Sequence, residues 1–221
     1  MERCMDTPGL ADRKLKELAT AAITEALRQS GRYKNNFMVR LENGRVVVDD
    51  LATIEAVMNS IDMEGVPFSV IINTMKKRQY KAMMEKGIEF VKGVTMVNAI
   101  SHITPHILFI PILSDLGEKD NALTDLPADT EAFIKYQAPS VEINPDNVSQ
   151  INPENLTELI EELREQLEQL RTDNAALRHR MEELKGKPGF FHDLGKGFSN
   201  TVNSVADWFR NLGGGATLLS I

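Results

Sequence analysis

The feature that most constrains this chain is a series of apolar residues between Leu156 and Leu184, spaced alternately four and three residues apart. This spacing is the heptad pattern of a coiled coil, in which the a and d positions form one narrow apolar face. The residues of this face, called the seam below, are Leu156, Ile160, Leu163, Leu167, Leu170, Asn174, Leu177, Met181 and Leu184. The pattern predicts a helix whose seam is buried against a partner.

The one polar member of the seam, Asn174, falls at an a position. An asparagine there bonds to its twin across a parallel two-stranded coil and is costly in other pairings. Asp173 and Arg178 are placed to attract each other across such a dimer, whereas Arg180 and Lys185 would repel each other. Asn174 therefore predicts a parallel homodimer.

Residues 10–137 have enough apolar content for one α+β core. The dipeptide at 43–44 is Asn-Gly between two β-rich runs, which predicts a hairpin. The first helix is expected to bury a stripe that includes Leu18, Ala22 and Ile23. The expected elements are a helix over 10–31, hairpin strands over 37–41 and 45–48, helices over 49–63 and 68–86, an edge or bent strand over 107–113, and a short helix over 129–136. Residues 88–103 fit a helix or a strand.

The next segment differs in composition. Pro139, Pro145 and Pro153 recur among Asn, Ser and Asp with little apolar periodicity, which predicts an extended linker. The chain is thus expected to comprise an N-terminal α+β domain (1–137), a proline-rich linker (138–155), a parallel two-stranded coiled coil (156–185) and an amphipathic C-terminal segment (186–221).

In the C-terminal segment the apolar pattern resumes after a Gly-Pro break at 185–189. The residues at helical spacing are Phe190, Phe191, Leu194, Phe198, Val202, Val205, Trp208, Phe209 and Leu212. The opposite face is small and mostly uncharged. This pattern predicts an amphipathic helix that contacts a membrane surface or, alternatively, another protein surface.

Two resemblances bear on function. Residues 196–205, Lys-Gly-Phe-Ser-Asn-Thr-Val-Asn-Ser-Val, resemble the amphipathic lytic segments of minor capsid proteins of non-enveloped viruses. That resemblance implies a segment stored within a particle and released to disturb a host membrane. The seam is similar to a leucine zipper, but a DNA-binding zipper needs a basic helix directly before it, and the turns here contain Glu154, Glu158 and Glu162.

Composition narrows the function classes. The net charge of −7 argues against a chain that binds nucleic acid over its whole surface. The single cysteine, Cys4, cannot form an internal disulfide, which fits a reducing compartment. Residues 1–9 lack the apolar core of a secretory signal, and no apolar window is long enough for a membrane span. We therefore expect a cytoplasmic protein, or a virion protein if the chain is viral.

Few residues suggest chemistry. His102 and His106 are four apart, but Pro105 lies between them and no third metal ligand has matching spacing. The acidic cluster Asp115, Glu118 and Asp120 is typical of a solvated turn. A dense basic patch at 76–78 and Lys81 could contact phosphate, but is also typical of a solvated helix face. The sequence shows no catalytic, cofactor or metal motif.

These observations favour a non-enzymatic dimeric assembly protein, with a viral minor capsid or structural component as the best fit. Its expected partners are its own copy through the coiled coil, and a membrane or protein through residues 186–221. The alternative is an oligomeric polymerase cofactor or adaptor, similar to the phosphoproteins of negative-strand RNA viruses. An enzyme would require a site assembled from scattered residues of the N-terminal domain.

Overall fold

The computed structural model describes residues 16–29, 31–42, 44–85, 87–113 and 125–172. They form an α+β structure with a mixed four-stranded sheet and a separate two-stranded ribbon. The helices are α1 (Lys16–Leu27), α2 (Val48–Asn59), α3 (Lys77–Met84), α4 (Ile88–Val97), α5 (Ala128–Ala132) and α6 (Asn155–Thr172). The strands are β1 (Arg32–Tyr33), β2 (Asn36–Glu42), β3 (Arg45–Val46), β4 (Ser69–Met75), β5 (Ile107–Pro111) and β6 (Val141–Glu142).

The main sheet has the order β3-β2-β4-β5. Strands β2, β4 and β5 are parallel, with α2 joining the first two and α3 and α4 joining the last two. The predicted hairpin is confirmed: β2 pairs antiparallel with β3, with Leu41 opposite Val46. Gly44 in its turn has φ +77°, a left-handed conformation that glycine adopts without steric cost. The strand predicted at 107–113 is confirmed as the edge strand β5.

An ion pair joins β2 to the first turn of α2. Asp50 accepts hydrogen bonds from the Arg40 guanidinium at 2.8 and 3.1 Å and from its backbone N–H at 2.8 Å. These bonds raise the pKa of the arginine and hold the carboxylate near the positive end of the α2 dipole. Neither Asp49 nor Asp50 caps this helix, although the sequence makes them candidates: Val47 occupies the N-cap without a side-chain hydrogen bond, and both aspartates lie in the first turn.

The helix predicted over residues 68–86 is wrong in its first half, because residues 69–75 form β4. Val70 and Ile72 are fully buried in the main core, whereas Ile71 lies in a second core with Leu108 and Phe133. A parallel strand covered on both faces has a continuous apolar run instead of an alternation. Because this run lacks the alternation of a half-buried strand, the sequence pattern does not separate it from the helix α3 that follows.

Other helices follow the predictions in outline. In α2 the four residues expected to face inward are buried: Leu51, Ile54, Val57 and Met58. The ambiguous stretch at 88–103 contains α4. In α1, Ile23 is buried as expected, but Leu18 is 69% exposed and Ala22 is also exposed. The buried face is rotated toward Thr20 and Thr24. The short helix near 129–136 is present as α5 followed by a π-helical turn over Phe133–Gln137.

The segment predicted as an extended linker packs on the domain instead of leaving it. Its apolar members Val141, Ile143, Val148 and Ile151 are all buried in the main core. Strand β6 pairs with β1, and the Arg28 guanidinium donates two hydrogen bonds to the Val148 carbonyl at 2.9 and 3.2 Å. The prolines interrupt regular structure here, but the apolar residues between them attach the segment to the domain.

Candidate assembly surfaces

Helix α6, which begins the predicted coiled coil, is embedded in the same core at its base. Leu156, Leu163 and Leu167 are only 2%, 3% and 5% exposed. Ile160 packs against the same core and is partly buried. The helix packs against α2, so the proximal residues of the seam contact their own chain. A heptad pattern indicates that one face of a helix is apolar. That face can be buried against the helix's own chain as well as against a second chain.

The start of α6 follows from local sequence. The Asn152 side chain accepts a hydrogen bond from the Glu154 N–H at 2.9 Å, which forms a turn just before the helix. Glu158 lies in the first helical turn, where a negative charge interacts favourably with the positive end of the helix dipole. The turn at Asn152 thus ends directly before Asn155, the first residue of α6.

Most of the other predicted contact residues cannot be placed. Leu170 lies within the helical range of α6. The distal seam residues Asn174, Leu177, Met181 and Leu184 lie outside the described residues. The entire predicted membrane or partner face from Phe190 to Leu212 also lies outside them. The parallel dimer and the C-terminal contact therefore stay predictions.

The outer side of α6 is acidic. Glu158, Glu162 and Glu165 are spaced four and three residues apart, so they share one helix face, called the acidic face below. This face is on the opposite side of the helix from Leu156, Leu163 and Leu167, and all three glutamates are exposed. Within the described part of the chain, none of them forms an ion pair.

The basic patch predicted from sequence lies on α3. Lys77, Arg78 and Lys81 are exposed on this helix, called the basic face below, and Lys76 is the N-cap residue. The first turn contains no acidic residue. Among the described residues, no ion pair involves any of these four cations. The Lys76 N–H donates to the Gln79 side chain at 3.2 Å, which satisfies one free backbone donor of the helix.

A polar cluster between α2 and the loop after α4 was not predicted. The Glu55 side chain is 6% exposed and accepts a hydrogen bond from the Ser101 N–H at 3.0 Å and another from the Ser101 hydroxyl. One helical turn further on, the Asn59 side-chain oxygen lies 2.8 Å from His102 Nε2. The one sequence feature that could have indicated this cluster is a glutamate next to the buried positions of α2. These bonds fix the loop, and they direct the His102 ring nitrogen toward an amide.

The two candidate histidines do not converge on a metal site. His106 is half-buried ahead of β5, where its backbone N–H donates to the Thr104 hydroxyl at 3.1 Å. Burial lowers the pKa of its imidazole. Among the described residues, no group of three or more His, Cys, Asp or Glu side chains is arranged to hold a metal. Asp115, Glu118 and Asp120 lie outside the described residues.

No helix within the described ranges has the length and apolar content required to cross a bilayer. Comparison of the chain with protein-family models, with curated proteins and with solved structures finds no significant match.

Proposed function

We propose that this protein is a non-enzymatic assembly protein that pairs with its own copy through the distal seam. The observation that carries the proposal is the division of the seam at α6. Its proximal residues Leu156, Leu163 and Leu167 are buried in the α+β core, so the helix base is part of the domain. In the sequence, the heptad pattern continues past Leu167 through Asn174, Leu177 and Leu184.

This arrangement differs in one respect from a domain tethered to a coil. Because residues 141–151 pack on the core and α6 packs on α2, the domain and the helix base move as one body. Pairing of the distal seams would then fix the relative orientation of two domains. It would also bring two C-terminal segments together, which raises their effective concentration at a shared surface.

A minor structural component of a non-enveloped virion fits this combination of parts best. In that role the amphipathic C-terminal segment, residues 186–221, contacts a membrane surface or another subunit. The adaptor alternative assigns the same segment to a protein partner. The two roles differ in what the C-terminal segment binds, and lipid vesicles distinguish them.

Sedimentation equilibrium tests the pairing. Leu177→Asp places a charge at a d position of the distal seam and should convert the dimer to a monomer, because a buried unpaired charge is strongly unfavourable. Leu126→Asp is the matched control, since Leu126 is 54% exposed in the domain. A Leu177→Asp protein that is still as dimeric as the control would contradict pairing through the distal seam.

Fluorescence of Trp208, the one tryptophan in the chain, tests the C-terminal contact. A blue shift that appears only when vesicles are added would support membrane contact by this segment. A spectrum that is already blue and does not change with vesicles would mean that Trp208 is packed against protein, and the adaptor role would replace the membrane role.

A further inference from the structure

The basic face of α3 and the acidic face of α6 carry opposite charges, and each contains like charges that repel each other. Lys77 and Lys81 on the basic face are four residues apart, so their charges repel each other, and Lys77 lies in the first turn, near the positive end of the α3 dipole, whereas Lys81 lies in the last turn. Glu158 and Glu162 on the acidic face are also four apart and repel in the same way. Within each helix the two like charges repel each other, and a charge of the opposite sign would relieve that repulsion.

Within the described part of one chain, the basic face of α3 and the acidic face of α6 do not form ion pairs with each other. The inner face of α6 is occupied by α2 and the core, which leaves the acidic face directed away from the domain. A contact between the two faces therefore requires a second molecule.

We infer that the basic face of α3 on one copy binds the acidic face of α6 on another copy. The dimensions are compatible, because Glu158 to Glu165 spans about 10 Å of helix and Lys77 to Lys81 about 6 Å. The chain as a whole has a net charge of −7, so the local basic face is what makes association with an acidic helix of another copy favourable.

This contact joins two different surfaces, so it is heterologous. A heterologous contact leaves one free basic face and one free acidic face at the ends of every pair, and assembly continues until a ring closes or a filament grows. The inference deepens the proposed assembly function and rests on it. The distal seam would form dimers, and the charged faces would link dimers into larger species.

Charge reversal in the full-length protein tests the contact. The basic-face variant is Lys77→Glu with Lys81→Glu, and the acidic-face variant is Glu158→Lys with Glu165→Lys. Each alone should shift the wild-type distribution in low salt toward dimers, with association beyond the dimer weakened on the order of tenfold or more. Raising the salt concentration should have the same effect on the wild type, because the contact lies at the surface.

Mixing the two variants is the decisive measurement. In the mixture, each unaltered face meets an unaltered face and each reversed face meets a reversed face, so complementarity is restored and the larger species should return. The matched control is Arg32→Glu with Arg45→Glu, which changes the net charge equally at two exposed cations outside both faces. This control should assemble as the wild type does.

Failure of the mixture to restore the larger species would overturn the inference, as would equal loss of assembly in the control. Retention of large species by either variant alone would also overturn it. If the basic-face variant instead loses binding to an RNA oligonucleotide or to anionic vesicles while its self-association is unchanged, an external phosphate ligand replaces the second copy. None of these results affects the dimer, which Leu177→Asp tests separately.

Discussion

At the scale of single residues, the buried Glu55 carboxylate depends on specific hydrogen-bond donors. A buried charge is tolerated only where hydrogen bonds replace the water it has lost, and Ser101 supplies two of them. The loop after α4 is thereby attached to α2 just before the chain enters β5. A glutamate at such a position is recognisable in sequence only as an interruption of apolar residues, because its partner is 46 residues away.

Ser101→Ala should therefore destabilise the domain. The substitution removes the hydroxyl donor and leaves the carboxylate with the Ser101 backbone N–H and a longer bond from the Asn59 amide at 3.5 Å, at a cost of about 1–2 kcal/mol in the free energy of unfolding. Urea denaturation provides the measurement. Ser140→Ala, at an exposed serine, is the control and should change stability by less than about 0.5 kcal/mol. Equal stability of the two variants would mean that the Glu55 bonds contribute nothing.

His106 should make stability depend on pH. Burial lowers the pKa of its imidazole below the ordinary value of 6.5, so the unfolded chain binds a proton more readily than the folded one. Its stabilising contribution is therefore fully present above pH 6.5 and is lost as the pH falls through the lower folded-state pKa. His106→Gln should reduce the loss of stability between about pH 7.5 and pH 5.5, measured by denaturation at each pH. Identical slopes in both proteins would contradict this.

At the scale of elements, the β2–β3 hairpin depends on the conformation of Gly44. Gly44→Ala places a Cβ where φ is +77°, and it also lies 3.4 Å from the Gln79 side chain at the start of α3. The left-handed conformation should lower stability by about 1–2 kcal/mol, measured as a shift in the urea midpoint. Gly87→Ala is the matched control, because its φ is −88° and nothing lies within 4 Å of the added Cβ. Because Gly87 is the N-cap of α4, where alanine is less favourable than glycine, Gly87→Ala should lower stability by less than about 1 kcal/mol.

The elements that sequence predicts are those with a local cause. The hairpin follows from Asn-Gly between β-rich runs, and α2 follows from its apolar spacing. Strand β4 was mistaken for a helix because burial on both faces removes the alternation that distinguishes a strand. The packing of residues 138–153 is not predicted, because the recurring prolines favour a linker, whereas the alternating Val141 and Ile143 are buried against the domain.

The candidate assembly surface shows the same limit. The seam was recognised as an apolar helix face, and Leu156, Leu163 and Leu167 do lie on one buried face of α6. Whether such a face packs on its own chain or on a partner depends on where the preceding segment directs the helix. That direction is set by long-range contacts such as Arg28 with Val148, which no local pattern encodes. The basic patch was located correctly because exposure and charge are local properties.

At the scale of the whole molecule, the base of α6 joins the stability of the domain to the geometry of assembly. If α6 belongs to the domain, its base should unfold together with the sheet, and the helix cannot swing as it would on a flexible linker. The contacts that enforce this are the buried leucines of α6 and the packed segment before it. A substitution in the seam should thus have different consequences on the two sides of Leu170.

Leu163→Ala tests this division. Leu163 is 3% exposed, and removing its side chain from a packed core should lower the free energy of unfolding by about 2–5 kcal/mol at any protein concentration. Leu177→Ala, the same change at a distal d position, should instead weaken dimerisation, and any loss of stability should depend on protein concentration. Denaturation at two concentrations separates these effects. If Leu163→Ala behaved as Leu177→Ala is expected to, the proximal seam would belong to the interface between copies, and the domain would be joined to the coil by a tether.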